Sequence, residues 1–261
     1  MQQRADSNRD PFLDAAGQPR VVRGVGILSA APRLAEVAGY IGFETVWIEV
    51  EHGPASFSEV EAQCMAAEAG GAMPTVRVPD HHRHHVLRAL EAGARIVVVP
   101  LVNDAATARQ IVEYGKFPPL GKRGFNTRSR GVHYGLQGIE AEFAAANTRT
   151  HLIAQIETPE AVANVEEICA VAGLSGVLVG PGDLSAAYGK PGRFTDPELI
   201  EVVAGCIRRA RALGRHAGIL VAPGPMLDAA LEAGADLVFC GNDFGDLTKA
   251  WQALLASVRV K

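Results

Sequence analysis

Eight short apolar segments of strand length recur along the chain. They cover residues 21–28, 45–50, 73–78, 95–100, 151–156, 175–179, 215–221 and 236–240. Most are continuous apolar runs rather than alternating polar and apolar positions, which is typical of parallel strands buried on both faces. Segments rich in Ala, Leu and Glu separate them with helical periodicity, so the pattern predicts a repeated β-α unit.

The tetrapeptide Glu-Ala-Gly-Ala marks two of the junctions between helix and strand. It occurs at 91–94 and again at 232–235, each time directly before an apolar run. Glycine at such a position is typical of a left-handed residue that ends a helix. Eight units in 261 residues predict an α/β protein, a single (β/α)8 TIM barrel over 1–261 with a polar N-terminal extension over about 1–20. A doubly wound open sheet gives similar local signals with fewer strands.

Composition narrows the class of partner. Hydrophobic residues make up 48% and charged residues 21%, with a formal net charge of −4, so we expect a folded protein without the basic surface that binds nucleic acid or an anionic membrane. Residues 1–10 are polar, and no apolar run reaches the roughly 18 residues of a membrane span, so we expect a cytoplasmic protein. The short motifs of dinucleotide, nucleoside triphosphate, serine hydrolase and zinc protease sites are absent. A small-molecule partner remains.

Two carboxylates follow neighbouring predicted strands. Glu157 ends the fifth and Asp183 follows the sixth, and the active site of such a barrel lies at the carboxyl ends of its strands. Like charges in one mouth repel each other unless a cation lies between them, so the pair predicts a divalent metal site suited to Mg²⁺ or Mn²⁺. The alternative is that each carboxylate caps the helix that follows it.

Two further groups at the strand ends are suited to binding an anion. The turn Gly-Pro-Gly-Asp presents the backbone N–H groups of Gly182 and Asp183, which could hold a substrate carboxylate. Arg77 ends the third strand as a planar, permanently charged donor. Its alternative role is an ion pair with Glu49 or Glu51.

Histidines occur in two conspicuous places. His52 lies in Glu-x-Glu-His-Gly, where a neighbouring carboxylate could fix the imidazole for proton transfer, although a histidine at a strand end can also be structural. The tract at 81–85 contains four histidines around one arginine. Adjacent histidines cannot all face one ion, so we interpret this tract as the solvent-facing start of a helix.

With these residues in place, the chain resembles the HpcH/HpaI aldolase family of metal-dependent class II pyruvate aldolases. The resemblance extends from about residue 24 to 247. It rests on motifs that occur in order at the predicted strand ends: Val-Trp-Ile-Glu-Val-Glu-His-Gly-Pro at 46–54, Thr-Val-Arg-Val-Pro at 75–79, Gly-Ala-Arg-Ile-Val-Val-Val-Pro-Leu-Val at 93–102, Phe-Pro-Pro-Leu-Gly-Lys-Arg-Gly at 117–124, Gln-Ile-Glu-Thr at 155–158, Gly-Pro-Gly-Asp-Leu-Ser at 180–185 and Gly-Asn-Asp at 241–243.

The resemblance implies a role for each matching residue at the metal. Glu157 and Asp183 would be ligands of Mg²⁺, Mn²⁺ or Co²⁺, and Gln155 would support the water shell of the ion. Arg77 would bind the pyruvate oxygen that becomes the enolate. The amides of Gly182 and Asp183 would hold the pyruvate carboxylate.

The resemblance also implies roles away from the metal. His52 would act in proton transfer with water on the metal, and Glu49 would orient its imidazole, although many relatives have Asp where this chain has Glu49. Arg123, in the long glycine-rich segment 115–138, would contact the aldehyde, either within its own chain or across a subunit boundary. A homo-oligomer is implied, a hexamer or trimer of dimers.

The resulting hypothesis is a divalent-metal-dependent carbon–carbon lyase. It would cleave and form aldols reversibly between pyruvate, or a similar 2-keto acid such as hydroxypyruvate, and an aldehyde through a metal-bound enolate. No lysine stands at a predicted strand end, which disfavours the Schiff-base route. The alternatives are an acyl-CoA lyase of malyl- or citryl-CoA type, an oxaloacetate decarboxylase and a ligand-binding barrel without turnover.

Overall fold

A closed barrel of eight parallel strands forms the centre of the molecule. The computed structural model describes residues 10–136 and 138–258, and its strands pair in chain order from β1 to β8 and back to β1. This confirms the predicted (β/α)8 barrel, with strand ends within two residues of those expected. The strands are β1 Val22–Ile27, β2 Thr45–Glu49, β3 Met73–Arg77, β4 Ile96–Val99, β5 His151–Ile156, β6 Gly176–Val179, β7 His216–Leu220 and β8 Leu237–Asn242.

Helices follow the strands and cover the barrel. Both repeated tetrapeptides end a helix as expected, with Gly93 and Gly234 at φ 107° and 97°, where a side chain would be strained. None of the helices within the described ranges has both the length and the apolar character needed to cross a membrane. They are α1 Pro32–Ile41, α2 Phe57–Gly70, α3 Arg83–Ala92, α4 Ala105–Gly115, α5 Ile139–Arg149, α6 Pro159–Ala163, α7 Val165–Cys169, α8 Pro181–Ala187, α9 Pro197–Ala212, α10 Pro225–Glu232 and α11 Asp243–Ser257.

The barrel interior is filled by large side chains, so the barrel is not a pore. Trp47 and Phe239 meet edge to face with ring centroids 5.0 Å apart, and both are buried. Gly24 makes room for them, because a Cβ there would lie 2.5 Å from the Phe239 ring. Ile153 and Leu178 complete the same cluster. This apolar layer lies directly below the polar residues at the carboxyl ends of the strands, the end of the barrel that we call the mouth.

The amino end of the barrel is closed by the segment that precedes β1. Residues 1–9 of the predicted extension lie outside the described residues. From residue 10 the chain folds back through a bridge between Leu13 and Pro19, and Phe12 is 2% exposed. The Phe12 ring stacks on His216 at 3.5 Å and meets His151 edge-on at 5.2 Å. This part of the extension is therefore not polar and exposed throughout, because the buried Phe12 covers the amino end of the barrel core.

The long segment between α4 and α5 lies at the same amino end. It is irregular, as predicted, apart from a short 3-10 segment at Arg130–Gly135. Phe117 and Val132 are buried within it and pack with residues of α5. Because α4 runs back from the carboxyl end of β4, the segment begins at the end of the barrel opposite the mouth.

We predict that His151 makes the fold acid-sensitive. Burial, with the charges of His216, Lys116 and Arg95, lowers the pKa of His151 from 6.5 to about 3. Protons therefore bind the unfolded chain more strongly between these values, so stability should fall as the pH drops from about 7 to about 5, by at most roughly 1.4 kcal/mol per pH unit from this group. Measured by urea unfolding, the free energy of unfolding should change less with pH over that range in His151→Gln than in the wild-type protein. The control His84→Gln changes an exposed histidine and should keep the wild-type dependence of unfolding free energy on pH. The same dependence in all three proteins would contradict the role of His151.

Candidate active site

Polar side chains replace the apolar layer at the carboxyl ends of the strands. Side chains two apart on a strand share a face, so Glu49 follows Trp47 into the barrel and Gln155 follows Ile153. The pairing of β2 with β3 puts Glu49 opposite Arg77. The site is thus built by continuing the inward-facing positions of the core by one step toward solvent.

Glu49 is a buried carboxylate with many donors. It is 3% exposed. Its Oε2 accepts hydrogen bonds from the Trp47 indole at 2.9 Å and from the Arg77 Nε at 2.8 Å. Its Oε1 accepts from the backbone N–H groups of Glu51 at 2.7 Å and His52 at 3.0 Å. Such a full set of donors compensates the cost of burying a charge and fixes the turn after β2.

Arg77 lies between two carboxylates. Its Nη2 is 2.7 Å from Glu49 Oε2, and its Nη1 is 2.9 Å from Glu51 Oε2. The guanidinium also lies 5.3 Å from the Trp47 ring centroid, within the range of a cation–π contact. The expected alternative, an ion pair with Glu49 or Glu51, is therefore present with both partners. The Arg77 side chain keeps 13% of its surface exposed at the mouth, so the pairs hold it without closing it off.

Glu157 is the most electrostatically perturbed carboxylate of the mouth. It is 2% exposed, and its Oε1 accepts a hydrogen bond from the N–H of Leu101 at 2.8 Å. Its Oε2 accepts from the amide of Gln155. Burial, with added repulsion from Glu51 and Asp183, raises the pKa of Glu157 to about 7. The carboxylates of Glu51, Glu157 and Asp183 are therefore close enough to repel one another.

Neither predicted metal ligand caps a helix. Thr158, not Glu157, caps α6, because its side chain accepts from the N–H of Ala161 at 3.0 Å. The cap of α8 is Gly180, and Asp183 lies exposed in the first turn of that helix. The helix-cap alternative is thus wrong for both carboxylates, which remain free for other chemistry.

The residues at the end of β6 leave open space beside Glu157. A Cβ on Gly180 would lie 2.9 Å from both Gln155 Nε2 and Glu157 Oε2, so any larger residue there would displace these two side chains. A Cβ on Gly182 would meet no atom within 4 Å. The amides of Gly182 and Asp183 are in the first turn of α8, where an N–H has no partner within the helix. These two amides therefore lie beside open space, from which a ligand could reach them.

The mouth fits a divalent cation. Gln155 Oε1 is buried without a hydrogen-bond partner, while its amide nitrogen holds Glu157. Glu157 and Asp183 add carboxylate oxygens, the donors preferred by Mg²⁺ and Mn²⁺. An ion or its bound water would give the unpaired Gln155 oxygen a partner and would offset the burial and the repulsion that together raise the pKa of Glu157.

His52 lies at the mouth but is not held by Glu49. Its side chain is 66% exposed, and its Nε2 lies 3.7 Å from Glu51 Oε2. Glu49 binds the backbone N–H of His52 rather than the imidazole. The expected orientation of the imidazole by Glu49 is therefore corrected: the neighbouring carboxylate is Glu51, because Glu49 points inward to Trp47 and Arg77.

Arg123 is far from the mouth. It is 5% exposed, and its guanidinium lies 4.5 Å from the Phe117 ring centroid at the amino end of the barrel. Burial lowers the pKa of Arg123 to about 10. The expected contact with the aldehyde is wrong, because the segment that carries Arg123 joins α4 to α5 below the barrel.

The structure adds Trp47, Glu51 and Leu101 to the site. Trp47 holds Glu49 and Arg77, and its spacing of two from Glu49 in the β2 motif is the signal that could have found it. Glu51 pairs with Arg77 and lies near His52. Leu101 contributes only its backbone N–H from the turn after β4, with a positive φ of 53°. No side-chain pattern signals such a donor.

Comparison with known proteins gives the same assignment as the geometry. A 2-keto-3-deoxy-L-rhamnonate aldolase of Salmonella gallinarum is 32% identical over 248 residues, which are 95% of this chain and 92% of that protein. The crystal structure of an HpcH/HpaI aldolase from Desulfitobacterium hafniense matches with a TM-score of 0.85 and 28% identity, covering 91% and 92% of the two chains. A family protein from Burkholderia cenocepacia matches with a TM-score of 0.83 and 29% identity, covering 92% and 95%. The family model of HpcH/HpaI aldolase/citrate lyase matches residues 24–250, and the chain therefore belongs to that family and is a carbon–carbon lyase.

Proposed function

We propose that the chain is a class II aldolase that joins pyruvate, or a similar 2-keto acid such as hydroxypyruvate, reversibly to an aldehyde. The observation that carries the proposal is a group of carboxylates at the carboxyl ends of β2, β5 and β6, two of which pair with the guanidinium of Arg77 at the end of β3. The name of the Salmonella relative describes a 2-keto-3-deoxy acid, the form that results when C3 of pyruvate adds to an aldehyde. The proposed substrate class is therefore 4-hydroxy-2-keto acids.

Glu157 and Asp183 would hold the divalent metal of this family, with Gln155 at its water shell. The oxygen-only donor set favours Mg²⁺, Mn²⁺ or Co²⁺. A bound ion supplies a Lewis acid that polarises the 2-keto group. Gly180 keeps the approach to Glu157 open.

Arg77 and the first turn of α8 would bind the keto acid. The amides of Gly182 and Asp183 donate to its carboxylate, and Arg77 donates to the oxygen that becomes the enolate. Because Glu49, Glu51 and Trp47 already fix Arg77, its donors need little reorganisation when negative charge develops. His52 is exposed beside Glu51, where its imidazole can accept or return the proton of the aldol hydroxyl.

The chain also presents a surface suited to self-association. Helix α11 exposes Phe244, Leu247, Trp251, Leu254 and Leu255 to solvent in the isolated chain. Apolar side chains concentrated on one terminal helix are typical of an interface. We include a homo-oligomer in the proposal, a hexamer or trimer of dimers.

We predict that removing metal abolishes aldol cleavage and that adding Mg²⁺, Mn²⁺ or Co²⁺ restores it. The reason is that the mouth holds an excess of carboxylates, which cannot polarise a ketone. Asp183→Asn should mainly weaken metal binding, measured by titration calorimetry, because one anionic ligand is lost. The exposed Asp228→Asn, on α10, is the matched control and should bind metal normally. Full turnover after complete metal removal would contradict the metal-dependent mechanism.

Arg77→Ala should lose deuterium exchange into the pyruvate methyl group by roughly a hundredfold or more, because the donor to the enolate oxygen is gone. NMR of pyruvate in deuterated solvent measures the exchange without any aldehyde. Arg77→Lys keeps the charge between Glu49 and Glu51, so it should restore the folding stability while rescuing little exchange.

The control for Arg77 is Arg88→Ala, because Arg88 packs over Phe57 at 4.9 Å, away from these carboxylates, and should exchange normally. If Arg77→Ala exchanged the methyl protons at the wild-type rate, Arg77 would be only a structural partner of Glu49 and Glu51.

His52→Ala should lose aldol cleavage severely, because the imidazole beside Glu51 that would take the hydroxyl proton is gone. Oxaloacetate decarboxylation needs no base at that hydroxyl and should suffer much less, and metal affinity should stay near the wild-type value. Parallel assays of both reactions, with His84→Ala as the control for an exposed histidine, measure the difference. Equal loss of both reactions together with weak metal binding would show instead that His52 holds the site together.

A further inference from the structure

A second cluster of metal-ligating groups lies on the turn between β3 and α3. Asp80, His82 and His85 each bring one ligand atom within 4.8 Å of the others. It is the only group of at least three Asp, Glu, His or Cys side chains this close within residues 10–136 and 138–258. The tract 81–85 does begin a helix at the surface, as expected from the sequence. The spacing of three residues also puts His82 and His85 on one side with Asp80.

The three side chains already converge on one oxygen. The Nδ1 atoms of His82 and His85 lie 2.9 Å and 2.6 Å from Asp80 Oδ1. The same oxygen accepts a hydrogen bond from the backbone N–H of His82 at 2.8 Å, which fixes the carboxylate against the turn. Donors around a tetrahedral zinc ion are separated by about 3.4 Å, because each bond is about 2.1 Å long. Small rotations of the imidazoles would therefore open the cluster to the size of an ion.

Packing supports the cluster on one side and leaves it open on the other. The His85 imidazole stacks with the Phe57 ring at 6.2 Å and lies 3.9 Å from the His84 ring, and its side chain is only 19% exposed. The side chains of His82 and Asp80 are 64% and 37% exposed. Two ligands are thus oriented by their surroundings, whereas His82 can turn to meet an ion from solvent.

The donor types distinguish this cluster from the mouth. Two imidazoles and one carboxylate suit Zn²⁺ and the similar late first-row metals, whereas the oxygen donors of Glu157 and Asp183 suit Mg²⁺ and Mn²⁺. The N-terminal end of α3 carries partial positive charge that weakens cation binding, and the Asp80 carboxylate offsets it. We propose that Asp80, His82 and His85 form a surface site for Zn²⁺ or a similar transition metal, which ties the β3–α3 turn to the first turn of α3.

The test measures zinc binding by the untagged full-length protein. Metal-free protein is dialysed against ZnCl2 with excess Mg²⁺, and the zinc held per chain is counted by elemental analysis. The background is Asp183→Asn, so that the mouth contributes little. We expect one zinc per chain, lost in His82→Gln/His85→Gln and kept in His81→Gln/His84→Gln, which changes the same number of histidines in the same tract but neither one that contacts Asp80.

Cobalt gives an independent readout. Co²⁺ bound by imidazole in a site of low coordination number shows visible absorption bands, which should appear with the control pair and be missing with His82→Gln/His85→Gln. Asp80→Asn keeps an oxygen acceptor for the backbone N–H of His82 but loses the charge, so zinc affinity should drop by about tenfold or more with the fold intact. Circular dichroism checks the fold of each variant.

Equal zinc loss from both histidine pairs, or retention of zinc in His82→Gln/His85→Gln, would overturn the proposal. The first result would indicate non-specific binding along the tract, and the second would place zinc elsewhere. Neither depends on aldol turnover. Failure of the aldolase mechanism would leave the zinc count unchanged, and the two conclusions therefore stand or fall separately.

Discussion

Excess negative charge at the mouth of the barrel is the constraint on which the site depends. Glu49 and Glu51 pair with the guanidinium of Arg77, and the carboxylates of Glu51, Glu157 and Asp183 repel one another. Glu49 is compensated by its four donors and Glu51 pairs with Arg77, whereas burial and repulsion raise the pKa of Glu157 to about 7 despite its two donors. In the proposed mechanism, a cation held by Glu157 and Asp183 would offset this repulsion and would also polarise the keto group, so one ion would serve both charge balance and catalysis.

The barrel core makes this concentration of charge possible. Its apolar layer, which includes Trp47 and Phe239, excludes water below the site, and the indole of Trp47 donates directly to Glu49. Low polarity on one side strengthens each charge-assisted hydrogen bond and raises the cost of an unpaired charge. The same side chain therefore serves as core and as support for Arg77. This explains why an aromatic residue sits two positions before a buried carboxylate in β2.

The two proposed metal sites differ in the donors that they offer. The mouth offers oxygen donors from three strand ends, and the turn after β3 offers imidazoles from the start of one helix. These two sets of donors differ in type and in rigidity. Arg77 and Asp80 are three residues apart, so the two sites share a turn without sharing a ligand.

The sequence by itself determined the barrel, its strand ends and the identity of the polar residues at the mouth, because buried parallel strands read as apolar runs and the residue after each run must face the active end. Tertiary structure decided which side chains meet. Glu49 turned to Trp47 and Arg77 rather than to the His52 imidazole, because strand pairing puts residue 49 opposite residue 77. Arg123 was buried at the opposite end, because its segment follows a helix rather than a strand. Asp80, His82 and His85 converged because a turn and a helix start bring them together, and such through-space distances are not encoded in local pattern.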